Sequence, residues 1–401
     1  CGGLLDVVYD GPRIAPQALR DTWRNRKASG RAEDQSGVWR FRELLPFVAE
    51  GQSVVTLGEG RTPLLDVPHS GEWAGGVRLA IKHQGNNPTG SFKDLGMTAC
   101  ITQAAIAGSR VTACASTGNT SASMSAYAIR AGMRAVVAVP AGKISAAKLA
   151  QALEFGATVM EIGGSFDAAL QLLRVLAGQI NLYLVNSLNP FRIEGQKTIV
   201  CEIFEQRDWK APDYIVVPGG NLGNVSAIGK GLCDLNQMGL IEKFPRLVVV
   251  QAEGANPFCR MLASGSDQLV PVSEPRTEAT AIRIGNPVNW TKALRAIRST
   301  DGLCESVSDA EIFAAKAEFA RDGVGCEPAS ATTLAGLRKL VANGKIERGA
   351  DVVAVLTGHQ LKDPEIGPRR RSEEELASRR ISVEPDIGKM RIALEKVLAS
   401  H

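Results

Sequence analysis

Short apolar, β-branched runs alternate with amphipathic stretches along most of the chain. The runs Leu79–Ile81, Val111–Ala115, Ala135–Val139, Thr158–Ile162, Leu182–Val185, Tyr214–Val217, Leu247–Val250 and Val352–Leu356 predict strands. Helical patterning falls between them, at Phe92–Ile106, Ser121–Arg130, Ser145–Phe155, Phe166–Leu176 and Val225–Met238. Strands alternating with helices of this length predict an α/β fold of mostly parallel sheet built from βαβ units. The runs are apolar at nearly every position, as strands covered on both faces require. Ligands of such folds sit beyond the carboxyl ends of the strands, so the loops that follow strands are where chemistry is expected.

The two ends read differently. Trp39-Arg40-Phe41-Arg42-Glu43-Leu44-Leu45 and Leu57-Gly58-Glu59-Gly60-Arg61-Thr62-Pro63-Leu64 predict loop and edge elements packed on the main body. Near the end, Arg369-Arg370-Arg371 precedes Glu373-Glu374-Glu375 and an amphipathic helix around Met390–Leu398, which predicts a solvated tail. A length of 401 residues favours two domains over one. A net charge of +4 is too small to call for nucleic acid, yet it suits an anionic substrate. No run is long and apolar enough to span a bilayer and no secretory signal opens the chain, so a cytoplasmic protein is expected. The eight cysteines are scattered, several of them (Cys100, Cys114, Cys201) within apolar patterns, and are expected to be small core residues in a reducing compartment. Cys1-Gly2-Gly3 looks like the last half of a zinc knuckle without its partners, so no metal site is assigned.

Five loops carry candidate chemistry. Gly85, Asn86, Asn87, Pro88 and Gly90 make a turn-rich approach to Lys93, and Ser91 with Asp94 has the spacing of a capping box. Lys93 then falls in a first helical turn, where the dipole depresses an amine's pKa and leaves it the neutral form that imine formation needs. A surface lysine behind a turn has the same local signature, so this loop alone does not decide. Gly219-Gly220-Asn221-Leu222-Gly223-Asn224, between a strand and a helix, offers converging backbone N–H groups to a phosphate. Its glycine spacing does not fit the dinucleotide pattern G-x-G-x-x-G.

Ser116-Thr117-Gly118-Asn119-Thr120 sets hydroxyls and an amide at a helix start, suited to a carboxylate or phenolate. Asn186-Ser187, with Arg192 beyond, suits a second anion, although a surface ion pair would also explain the arginine. Thr357-Gly358-His359 ends a strand; His359 is weighed as a general base and against a plain strand-end hydrogen bond.

Asn87-Pro88-Thr89-Gly90-Ser91-Phe92-Lys93-Asp94, the glycine loop and Ser116–Thr120 together resemble the motifs of the fold-type II pyridoxal-phosphate family, and within it the threonine synthase family. Arg192–Thr198, Val250–Pro257, Cys326-Glu327-Pro328-Ala329-Ser330 and Thr357–Lys362 match in the same order, so the likeness runs to about Pro364. It implies two open twisted sheet domains with the site in the cleft between them: a large cofactor domain of 1–97 plus 188–365, a small substrate domain of 98–187, and a tail of 366–401.

It implies pyridoxal phosphate on Lys93 as a Schiff base, with Lys93 catalytic and Phe92 beside it. Asn119 would face the ring oxygen, Thr357 the ring nitrogen, and Gly219, Gly220, Asn221, Leu222, Gly223 and Asn224 the cofactor phosphate. Ser116, Thr117 and Thr120 would receive the amino acid, and Asn186, Ser187 and Arg192 the substrate's phosphate. The implied reaction converts O-phospho-L-homoserine and water to L-threonine and phosphate in a homodimer. Gln84, Leu95 and Gln360 depart from residues common in the fold. Rival readings are a cysteate synthase, a serine/threonine dehydratase, or an amino-acid sensor of the same fold.

Overall fold

The computed structural model describes residues 3–9, 14–142, 146–164, 166–363 and 380–399. Cys1-Gly2, Ser145, Arg369-Arg370-Arg371 and Glu373-Glu374-Glu375 lie outside the described residues. One compact unit covers Cys1–Gln360; a second, Leu361–His401, contains the helix Ile387–Ala399.

The first unit holds two sheets. The larger comprises β1 (Leu64–Asp66), β2 (Arg78–His83), β7 (Tyr214–Pro218), β8 (Arg246–Ala252), β9 (Leu303–Val307) and β10 (Asp351–Leu356), in the order β1-β2-β10-β7-β8-β9. Only β1 is antiparallel. The smaller comprises β3 (Val111–Ala115), β4 (Arg134–Pro140), β5 (Thr158–Ile162) and β6 (Leu182–Leu184), parallel throughout in the order β5-β4-β3-β6. Alternation in the central strands feeds two cores: Ile215, Val217, Val249, Val353 and Val355 face one side, and Val216, Val248, Val250, Ala354 and Leu356 the other.

All eight predicted strands form, within a residue or two of the expected ends. The pattern missed β1 and β9, the two edges, where one side is uncovered and the residues need not be apolar. The segment expected to be loop at 39–45 is instead a 3₁₀ helix, Trp39–Leu44, buried in the core. Trp23 meets Phe41 edge-on at 5.0 Å, and Trp39 Nε1 donates to Thr98 Oγ1 at 2.7 Å. Its polar residues sit beside buried partners: Arg40 pairs with Glu205 at 2.8 Å.

Cysteine usage also differs from expectation. Cys100, Cys114 and Cys201 are buried thiols, but Cys259 and Cys304 form a disulfide joining helix Pro257–Ala263 to β9. A helix and a strand 45 positions apart bring those two sulfurs together, and spacing alone does not reveal that.

Candidate active site

Every candidate loop leaves the carboxyl end of a parallel strand: β2 leads to Lys93, β3 to Ser116, β6 to Asn186, β7 to Gly219 and β10 to Thr357. Two of them are stitched together directly. Phe92 N donates to Thr357 O at 2.9 Å and His359 N to Gly90 O at 2.9 Å, with a bridge between Ser91 and Gly358. His359 is thus anchored through its main chain at a strand end.

Lys93 opens the helix Lys93–Ile106, but the predicted capping box does not close. Ser91 Oγ accepts only a long 3.4 Å bond from Lys93 N. Asp94 turns away to accept from Thr89 N at 2.7 Å and from the Thr89 and Ser123 hydroxyls at 2.6 Å each. Three nearby donors outcompete a cap that a short aspartate reaches poorly. Burial holds the Asp94 carboxyl up at about 6 against those bonds.

The Lys93 amine lies 3.9 Å over the Phe92 ring and makes no ion pair among the described residues. Its pKa is lowered to about 7, chiefly by burial and then by the nearby Arg192 charge, with Glu327 opposing. The direction matches the expectation, with burial as the largest cause.

Arg192 is not the surface ion pair that would also have explained it. It is 3% exposed, gives one bond from Nη1 to Val185 O at 3.2 Å, and leaves Nε buried without a partner. No carboxylate pairs with it among the described residues. A buried, unpaired guanidinium is costly unless an anion comes to it.

The glycine loop is built as a turn into the helix Gly223–Gln237. Leu222 takes a left-handed conformation at φ 61°. A Cβ on Gly219 would press on Val249 and Gln251 at 2.6 and 2.8 Å, so only glycine fits there. Asn221 is clamped, its Nδ2 giving to Ser187 Oγ at 3.0 Å and its Oδ1 accepting from Val288 N at 2.8 Å. Asn224 is buried with both Oδ1 and Nδ2 unpartnered. Polar atoms left bare inside a helix N-terminus fit a phosphate-bearing cofactor.

Thr357 is buried; its hydroxyl gives to Glu327 Oε1 at 2.9 Å, and its N–H gives to Ser330 Oγ at 2.8 Å. Asn119 starts the helix Asn119–Arg130 and gives to Glu327 Oε2 at 3.0 Å. Ser116, Thr117 and Thr120 are partly open around it, with Ser116 Oγ accepting from Gly118 N at 3.2 Å. Asn186 spends both side-chain polar atoms on the Ala115 main chain, at 3.0 Å each. It therefore ties β6 to the end of β3 and carries the loop 116–120, with one N–H of Nδ2 left over.

Sequence reasoning gave no role to two site groups. Gln251 gives to Gly219 O at 3.1 Å and accepts from Phe258 N and Cys259 N at 3.0 Å each, bracing the glycine loop from behind. Glu327 is the carboxylate between Asn119 and Thr357. Both stand in matched motifs, but their partners lie far away in the chain.

Residues 55–358 match the family described as pyridoxal-phosphate dependent enzyme. Threonine synthase of Methanosarcina acetivorans is 48% identical over 91% of this chain and 87% of its own length. That of Methanocaldococcus jannaschii is 45% identical over 93% and 90%. Among solved structures, diaminopropionate ammonia lyase of Escherichia coli superposes with a TM-score of 0.66 at 16% identity, covering 90% of this chain and 94% of its own. Threonine deaminase isoform 2 of Solanum lycopersicum gives 0.64 at 20%, covering 94% and 91%. These two likenesses concern the fold alone.

Proposed function

Since the chain belongs to the pyridoxal-phosphate dependent enzymes and, within them, to the threonine synthases, we propose that Lys93 is its cofactor lysine and O-phospho-L-homoserine its substrate. The net reaction breaks the Cγ–O bond, releases phosphate and adds the oxygen of water at Cβ to give L-threonine. The observation that carries the substrate assignment is Arg192, a buried guanidinium without a carboxylate partner beside Lys93. A dehydratase substrate brings no second phosphate to satisfy it.

Bound pyridoxal phosphate supplies the electron sink for charge developing on the substrate's carbon chain. Gly219 to Asn224 hold its phosphate, with Asn224 giving a bond from its bare Nδ2. Phe92, Asn119 and Thr357 line its ring. The Lys93 amine, its pKa lowered to about 7 chiefly by burial, takes the α-proton and returns protons along the chain. Ser116, Thr117 and Thr120 receive the substrate carboxylate. Arg192 and Ser187 receive its phosphate, and Asn186 keeps the 116–120 loop in place from the neighbouring strand. A homodimer in the cytoplasm belongs to the same reading, as does a small domain of 98–187 around the four-stranded sheet. No helix among the described residues is long and apolar enough to cross a membrane.

Equal release of phosphate and threonine from O-phospho-L-homoserine tests the activity. Activity with sulfite and phosphoserine, and none with phosphohomoserine, would replace this substrate while leaving the cofactor in place. Lys93→Ala should abolish both covalent cofactor and turnover; retained turnover ends the proposal.

A further inference from the structure

Glu327 is 2% exposed and precedes Pro328, the first residue of the helix Pro328–Ala342. That position stabilises a carboxylate through the helix dipole without consuming its oxygens. One oxygen accepts from Asn119 at 3.0 Å and the other from Thr357 at 2.9 Å. Asn119 belongs to the four-stranded sheet's side of the site and Thr357 to the end of β10 in the six-stranded sheet. Glu327 N also gives to Gly358 O at 3.0 Å, and a Cβ on Gly358 would overlap the Glu327 carboxylate. The glycine of Thr357-Gly358-His359 is therefore required by this carboxylate.

We propose that Glu327 is a positioning residue of the active site, whose single carboxylate aligns Asn119 and Thr357, one from each sheet, toward the cofactor ring. An apolar residue of the same size cannot do this, and an amide could accept from only one of the two, forcing the Thr357 hydroxyl to turn round and accept. The charge has a second effect: it partly offsets the lowering of the Lys93 pKa by burial and Arg192. Both effects rest on Lys93 being the cofactor lysine.

The test uses Glu327→Gln in the full chain. Cofactor affinity is read by titrating apoprotein with pyridoxal phosphate, and the pH midpoint of the bound cofactor's absorbance is read separately. The variant should bind at least fivefold more weakly, move the midpoint to lower pH, and lose kcat tenfold or more with KM for the phosphorylated substrate within threefold. A purely structural role would lower the melting temperature and leave affinity and midpoint where they were. Should Glu327→Gln fail to fold, Gly358→Ala displaces the carboxylate while keeping its charge. It should weaken cofactor binding to the same degree. Affinity and midpoint within twofold of wild type in the folded variant overturn the role of Glu327. If instead Lys93→Ala still binds the cofactor covalently, the reading of Lys93 is what fails.

Discussion

Replacing Arg192 by glutamine separates the functional account of that residue from every structural one. A paired arginine in a core is destabilising to remove, by about 3–5 kcal/mol, because its partner is left uncompensated. Among the described residues Arg192 has no such partner: its Nε is bare and its Nη1 gives to a carbonyl, that of Val185. Its removal should therefore leave the apoprotein as stable as wild type or raise its Tm by about 2–5 °C. The loss should appear only with substrate. An anion held by a buried guanidinium, once the cation is gone, forfeits about 3–5 kcal/mol, which is roughly a hundredfold to a few thousandfold in kcat/KM. The Lys93 amine supplies a third reading. Arg192 is the second cause of its lowered pKa, so the midpoint near 7 should move up, and less neutral amine should remain at pH 7. Phosphate-release kinetics, thermal melting and the pH dependence of cofactor uptake measure the three. A folded Arg192→Gln enzyme with kcat/KM within threefold of wild type would falsify the anion role, and a falling Tm would mark Arg192 as structural.

In wild-type apoprotein, the rate of covalent cofactor uptake should rise with pH around a midpoint near 7 and fall about tenfold per unit well below it, as read by stopped-flow absorbance. A midpoint near that of an ordinary lysine would contradict the burial argument. Gly219→Ala, which presses a methyl on Val249 and Gln251, should weaken cofactor affinity at least tenfold in an apoprotein titration. Asp94 is held up at about 6, above its unfolded value. Its contribution to stability is then present below pH 4 and lost as pH rises through 6, and the difference in unfolding free energy between wild type and Asp94→Asn should follow that slope. Trp39→Ala, in a segment that looked like loop, should cost about 3–5 kcal/mol in denaturant unfolding; a cost under about 1 kcal/mol would place Trp39 outside the core.

The central strands were legible because burial on both faces leaves no freedom: Tyr214–Val217 and Val352–Leu356 must be apolar throughout. The same reasoning misses both edges of the larger sheet, where β9 runs Leu-Cys-Glu-Ser-Val with only its last residue buried. Local caps are ambiguous in a similar way. Ser91-x-x-Asp94 and Ser308-x-x-Glu311 have the same spacing, yet only the second closes, with Ser308 N giving to Glu311 Oε2 at 2.7 Å and Glu311 N to Ser308 Oγ at 3.3 Å. Glutamate reaches back across the turn, whereas aspartate is short and Thr89 and Ser123 offer it better donors.

Loops at strand ends were legible for the reason that strands were, and that is how Lys93, Ser116, Asn186, Gly219 and Thr357 come together. What each side chain does there depends on pairings that no local pattern carries. Asn119 and Glu327 bond across 208 positions, and Asn186 reaches Ala115 across 71. Asn186 shows the consequence most sharply. Its residue type suits an anion, but two bonds to one main-chain unit fix its orientation and leave one N–H of Nδ2 to offer, while Arg192, six residues on, has a whole guanidinium edge. The proposed phosphate grip therefore rests most heavily on Arg192, because a buried polar atom without a partner is one the fold leaves for something else to satisfy.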